Sequence, residues 1–142
     1  MSWQSYVDDH LMCALPHGGQ LKAAALYCQE DGACWAQSAE MPVVTKTQLD
    51  GIIDAFDNPQ TKLASNGLFL GEEKFMMVAG DPGAVVRGRQ KENPEKGRKA
   101  RGCCIKKTGS ALVFGIFEEP VTAADCNIVV ENLGDYLIGQ GY

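Results

Sequence analysis

The sequence contains only two histidines, His10 and His17, and no C-x-x-C pair among its six cysteines. With no Ser or Cys nucleophile motif beside either histidine, nucleophilic catalysis has no machinery to use, and zinc or thioredoxin-type chemistry lacks its ligand spacing. No G-x-x-x-x-G-K-[ST] phosphate loop occurs, and Gly67 to Gly71 lacks the lysine and hydroxyl that phosphate binding needs. Glu118-Glu119-Pro120 is a turn whose adjacent carboxylates point apart, which suits solvent better than paired acid and base work. The longest uncharged apolar-rich run, Thr108 to Phe117, falls far short of the roughly 18 residues that span a bilayer. There is no N-x-S/T acceptor, and no basic segment leads into an apolar one at the start. These absences argue against an enzyme and against metal or cofactor, and they point to the cytoplasm.

What is present is ordinary globular material. At 142 residues, with 45% apolar and 22% charged side chains, the chain suits one domain over residues 1–142 with a single buried core. The six cysteines read as reduced thiols, and Cys13 and Cys126 on the two terminal helices are a pair that oxidation could join. Charge is uneven. Between Arg87 and Lys107 lie nine of the thirteen basic residues and two acids, a local +7 against −12 for the remainder. A basic patch on an acidic body favours a local anionic partner, an acidic protein face or lipid headgroups, over nucleic acid.

Periodicity and turn chemistry divide the chain. Trp3, Tyr6, Val7, His10 and Leu11 make one helical stripe behind a Ser2 cap, with His10 read as packed. Pro16 to Gly19 turns, and strands at Leu21 to Gln29 and Ala33 to Ser38 flank the hairpin signal Asp31-Gly32. Thr47-x-x-Asp50 opens a helix bearing Leu49, Ile52, Ile53 and Phe56, closed by Asn58-Pro59. Five strands follow, at Gly67 to Leu70, Phe75 to Ala79, Ala84 to Arg89, Cys103 to Lys107 and Ala111 to Phe117. Thr122-x-x-Asp125 then caps a last helix with Cys126, Val129, Val130, Leu133 and Leu137 on one stripe. Connections this short require antiparallel pairing. The expected fold is α+β: a central antiparallel sheet with the N- and C-terminal helices packed together on one face and a shorter helix on the other.

Both ends of the chain are aromatic, where most domains have polar, dispensable termini. A groove lined by Trp and Tyr recognises polyproline II by stacking flat rings on a helix that needs no further ordering. About 300 Å² of such contact is worth roughly 7 kcal/mol gross, much of which association removes, so affinity is expected between micromolar and millimolar.

The segments MSWQSYVDDHLMC, CWAQS, NGLFLG, GEEKFMMV, DPGAVVRGR, KKTGSALVFGIFEEPVT and CNIVVENLGDYLIGQGY together resemble profilins of the plant and green-algal type from end to end. The resemblance implies a monomeric cytoskeletal protein that binds actin monomers, promotes their nucleotide exchange and delivers them to proline-rich formin-type partners, and that also binds phosphoinositides. It assigns Trp3, Tyr6, Trp35, Tyr136, Leu137 and Tyr142 to the polyproline groove. It assigns Lys74, Met76, Met77, Arg87, Arg89, Val121, Thr122, Ala124, Asn127, Ile128, Glu131 and Asn132 to the actin contact. One segment departs from the pattern. Residues 90–102, QKENPEKGRKARG, stand where a short glycine-rich turn is expected, and without an apolar anchor they should be mobile. Arg98, Lys99 and Arg101, with Arg87 and Arg89, are the expected phosphoinositide set. The segment could equally attract actin, or block it and leave a proline-peptide and lipid adaptor; a thiol redox enzyme is the remaining alternative.

Overall fold

The computed structural model describes residues 2–58 and 66–142, with Ala79 described by its backbone alone; Pro59, half of the expected helix stop, lies outside them. Ser2 Oγ accepts from Ser5 N at 3.2 Å and starts α1 (Trp3–Tyr6), which widens at once into a π-helical turn (Val7–Leu11). That turn, closed by Met12 N donating to Val7 O at 2.9 Å, rotates the stripe. Val7 and Leu11 are buried as expected, whereas His10 faces solvent instead of the core, its ring 5.8 Å from that of Tyr6.

Strands β1 (Ala23–Cys28) and β2 (Cys34–Gln37) form a hairpin around Gly32. Helix α2 (Lys46–Asp57) follows, then β3 (Leu68–Leu70), β4 (Glu73–Asp81), β5 (Val85–Gln90), β6 (Arg101–Lys107), β7 (Ala111–Glu118) and α3 (Ala123–Gly139). The sheet has seven strands in the order β2-β1-β7-β6-β5-β4-β3, and every pairing is antiparallel. Helices cover both faces of its centre, so β1 and β7 carry near-continuous apolar runs rather than an alternating pattern. On one face Val7, Leu11, Leu26, Val113, Val130 and Leu137 pack the terminal helices together; on the other, Leu49, Ile52 and Phe56 of α2 meet Phe75, Ile105 and Phe114.

The start of α2 lies two residues before the expected cap. Thr45, not Thr47, accepts from Gln48 N at 3.2 Å, while Gln48 Oε1 accepts from Thr45 N at 3.1 Å. The Gln48 amide also exchanges bonds with Gly71 N and O, which ties this cap to the β3–β4 turn and leaves Asp50 to pair with Lys46. At α3, Thr122 Oγ1 accepts from Asp125 N at 3.3 Å as expected. The Asp125 carboxylate is buried, held by His17 N at 3.2 Å and His17 Nδ1 at 2.9 Å, so the Pro16 to Gly19 turn is fixed to the first turn of the helix.

α3 lies close on the sheet because Gly115 of β7 offers no side chain. A Cβ there would stand 2.5 Å from Val130 Cγ2 and 3.2 Å from Cys126 Sγ. Gly115→Ala is therefore expected to cost about 1–2 kcal/mol through overpacking, read as a lowered urea midpoint with an unchanged m-value.

Candidate functional site

Three elements converge on one surface of exposed rings. α1 supplies Trp3 and Tyr6, the edge strand β2 supplies Trp35, and the end of α3 supplies Tyr136 and, just beyond it, Tyr142. Trp3 stacks on Trp35 with centroids 4.5 Å apart and planes at 26°, and meets the edge of Tyr142 at 5.0 Å and 83°. Tyr6 continues the row, 5.6 Å from Trp3 and 6.0 Å from Tyr136. Trp3, Tyr6 and Trp35 are half-buried against the core, while Tyr136 is 49% and Tyr142 44% exposed. This is a ribbed apolar trough with a hydroxyl at several ribs, which suits the flat rings and solvated carbonyls of polyproline II. Loss of hydration, and then the neighbouring Tyr136, raise the Tyr6 pKa above its ordinary value, so its phenol remains a donor through neutral pH.

Leu137 does not belong to that surface. It is fully buried among Val7, Leu11 and Leu133 and forms the floor beneath the rings. The sequence reading missed Ile138, 49% exposed at the end of α3, and Gln4, whose Nε2 donates to Gln37 O at 3.0 Å and joins α1 to the strand carrying Trp35. Neither has a sequence signal apart from proximity to the aromatic end.

A second surface lies on the outer part of the sheet. A cleft of about 1060 Å³ separates β4, β5 and β6 from the loop leading into α3. Met76, Arg87, Arg89, Val121, Thr122 and Asn127 line it, and Met76 is 58% exposed at its centre. Ala124, Ile128 and Asn132 extend the surface along the solvent side of α3, and Glu131 turns inward to accept from Arg87 at 3.3 Å. One expected member lies on the opposite face: Met77 pairs with Gly88 and packs toward α2, because strand neighbours alternate faces. Lys74, two residues before Met76, shares its face but sits toward the β3 edge with Nζ 6.0 Å from the Phe69 ring.

The basic segment is built rather than loose. Asn93 and Arg98 exchange backbone hydrogen bonds at 2.8 and 2.9 Å around a 3₁₀ turn (Pro94–Lys96), with Gly97 in the left-handed region at φ 65°. Glu73 accepts from Arg98 at 2.7 Å and Gln90 at 3.1 Å, and Glu118 accepts from Arg101 at 2.6 Å. Arg87, Arg98 and Arg101 of the expected phosphoinositide set are thus engaged with carboxylates, whereas Arg89 and Lys99 are exposed with no ion-pair partner among the described residues. The local excess of +7 is correspondingly offset by acids from distant parts of the chain.

These pairs make the hairpin acid-sensitive. Burial raises the Glu73 pKa, but hydrogen bonds from Gln90 and Arg98 and the charge of Arg98 outweigh it and leave the carboxyl below its usual range; the Arg101 hydrogen bond does the same for Glu118. Stability from a depressed carboxyl is complete above its unfolded pKa, about 4.3 for Glu, and is lost as pH falls through the lower folded value. Between pH 7 and pH 3 the native melting temperature should therefore fall further than that of a Glu73→Gln/Glu118→Gln variant; equal falls would contradict the pairing.

The three buried cysteines do not form a reactive site. Burial raises the Cys103 and Cys126 thiols well above their ordinary pKa and pushes Cys104 up to about 12, so little nucleophilic thiolate forms at neutral pH.

The sequence model of the family described as Profilin matches residues 1–142. Acanthamoeba castellanii profilin II is similar at 31% identity and TM-score 0.79, with 99% of this chain and 100% of that chain covered. Profilin IB of the same amoeba is similar at 30% identity and TM-score 0.80 over the same shares. Mouse profilin IIa, solved in complex with a double repeat from the FH1 domain of mDia1, is similar at 25% identity and TM-score 0.81, with both chains covered in full.

Proposed function

This chain belongs to the profilin family, a family of non-enzymatic actin regulators, and from that premise we propose that it binds monomeric actin and proline-rich segments on two separate faces. The aromatic trough, from Trp3, Tyr6, Trp35, Tyr136 and Tyr142, takes polyproline II segments of formin-type partners; the cleft face, centred on Met76, Arg89, Val121 and Ile128, takes actin. The observation that carries this reading is the Trp35, Trp3 and Tyr142 arrangement, two stacked rings closed by an edge-on third. That a mouse relative is solved with a formin FH1 repeat supports the choice of ligand.

The actin face meets α3 at Ile128 and the trough meets it at Tyr136, eight residues further on, which at 1.5 Å per residue is about 12 Å along the axis. A monomer held on one face can therefore be presented while the other holds a proline-rich segment. The protein promotes nucleotide exchange on the bound monomer, works as one cytoskeletal domain over residues 1–142, and belongs with the plant and green-algal type whose motifs it shares. Arg89 and Lys99, the exposed members of the basic set, provide the first contacts for phosphoinositide headgroups, which also draw on the paired Arg87, Arg98 and Arg101. No helix among the described residues is long and apolar enough to cross a membrane.

Calorimetric titration with a proline decamer and with monomeric actin tests the proposal. Saturable binding of both at tens of micromolar is expected, and absence of either removes that face. A second reading has one observation in its favour: the clamped hairpin lines the cleft through Lys91 and Glu92, where it could screen actin and leave a proline-peptide and lipid adaptor. Shortening residues 91–100 would then raise actin affinity.

A further inference from the structure

The trough has a component that none of its ring-bearing elements supplies. Past the end of α3, Tyr142 N donates to Leu137 O at 2.9 Å, with Gly141 in the left-handed region at φ 90°. The main-chain oxygen of Tyr142 then meets the β6–β7 turn. Ser110 Oγ lies 2.8 Å and Thr108 Oγ1 2.9 Å from it, and Ser110 N donates to it at 2.5 Å. Gly109 lets this approach happen, since a Cβ there would stand 3.1 Å from the same oxygen. The residue so held turns its ring edge-on to Trp3 at 5.0 Å.

We infer that the β6–β7 turn is a latch and that Ser110 and Thr108 are positioning residues of the proline-binding trough, holding the Tyr142 ring against Trp3. The inference rests on the reading of the trough given above. An exposed ring on an unheld segment past the end of a helix would sample many rotamers, and a ligand would have to order it on binding. Three donors converging on one oxygen remove that disorder in advance. The trough is thereby set from the sheet as well as from the two helices, and its affinity depends on residues that no ligand touches.

Ser110 is the position to change. Among the described residues its hydroxyl hydrogen-bonds only to the Tyr142 oxygen, whereas Thr108 Oγ1 also accepts from Ala111 N at 2.9 Å and supports the turn itself. Ser110→Ala should weaken proline-decamer binding about threefold, and Ser110→Asp, which sets a carboxylate against that oxygen, at least about tenfold, while Ser110→Thr retains native affinity. Melting temperature and actin affinity should be unchanged in all three. A second readout needs no ligand: in Ser110→Asp the tryptophan emission should move to the red as the Tyr142 edge leaves Trp3. Native affinity and native emission in Ser110→Asp would overturn the latch. If the native protein fails to bind the decamer, the reading of the trough falls, while the emission shift still decides whether the latch exists.

Discussion

Replacing Trp3 with alanine should weaken proline-decamer binding about 100-fold, close to 3 kcal/mol, while leaving actin binding within twofold of native. Among the rings of the trough, Trp3 is the one in contact with three others, stacked on Trp35, tilted against Tyr6 and in edge contact with Tyr142. Truncation removes its own contact with ligand and the support that sets its neighbours, a combination typical of interface positions with the largest alanine effects. Tyr136 touches only Tyr6 among the rings, so Tyr136→Ala should cost several-fold less. Titration of each variant by calorimetry gives both numbers, and equal losses would contradict a trough organised around Trp3.

The second large effect belongs to the other face. Arg89→Glu combined with Ile128→Asp should reduce actin affinity about 100-fold and leave proline binding unchanged. Arg89 lines the cleft from β5, Ile128 lies beside it on the solvent side of α3, and both are exposed, so neither substitution removes a core contact. Each should cost about tenfold and the effects should add, because the residues share no partner. Charge reversal at Arg89 acts on approach as well as on the bound state, so its share should shrink in high salt, whereas the Ile128 share, dominated by desolvation of the new carboxylate, should persist. Sedimentation with monomeric actin at two salt concentrations separates them.

How much of this was legible in the sequence depends on how far apart the interacting residues lie along the chain. The strands are marked locally, by Asp31-Gly32 and Asp81-Pro82-Gly83 and by runs dense enough to fill both covered faces of a sheet, and their observed bounds fall within about two residues of the expected ones. The rings of the trough were visible as an unusual placement of aromatics at the chain ends. The resemblance places Leu137 in it, although its helical register with Val130 and Leu133 directs it inward. The same holds for Met77, since a buried Phe75 fixes the parity of β4 and sends Met77 to the same side. The basic hairpin was misjudged for a different reason. Its anchors are Glu73 and Glu118, 25 and 17 positions from the arginines they hold, and charge partners at that separation leave no local pattern. His10 turned outward because a π-helical turn interrupts the expected 3.6-residue period, a change no side-chain pattern announces.

Central to the proposed function is that the two faces bind independently of each other. A labelled proline decamer titrated with the protein, first free and then saturated with monomeric actin, measures that directly by fluorescence anisotropy. The same peptide affinity within twofold is expected, with a larger final anisotropy in the presence of actin because peptide, protein and actin travel together. Displacement of the peptide by actin, or a final anisotropy that actin leaves unchanged, would contradict it.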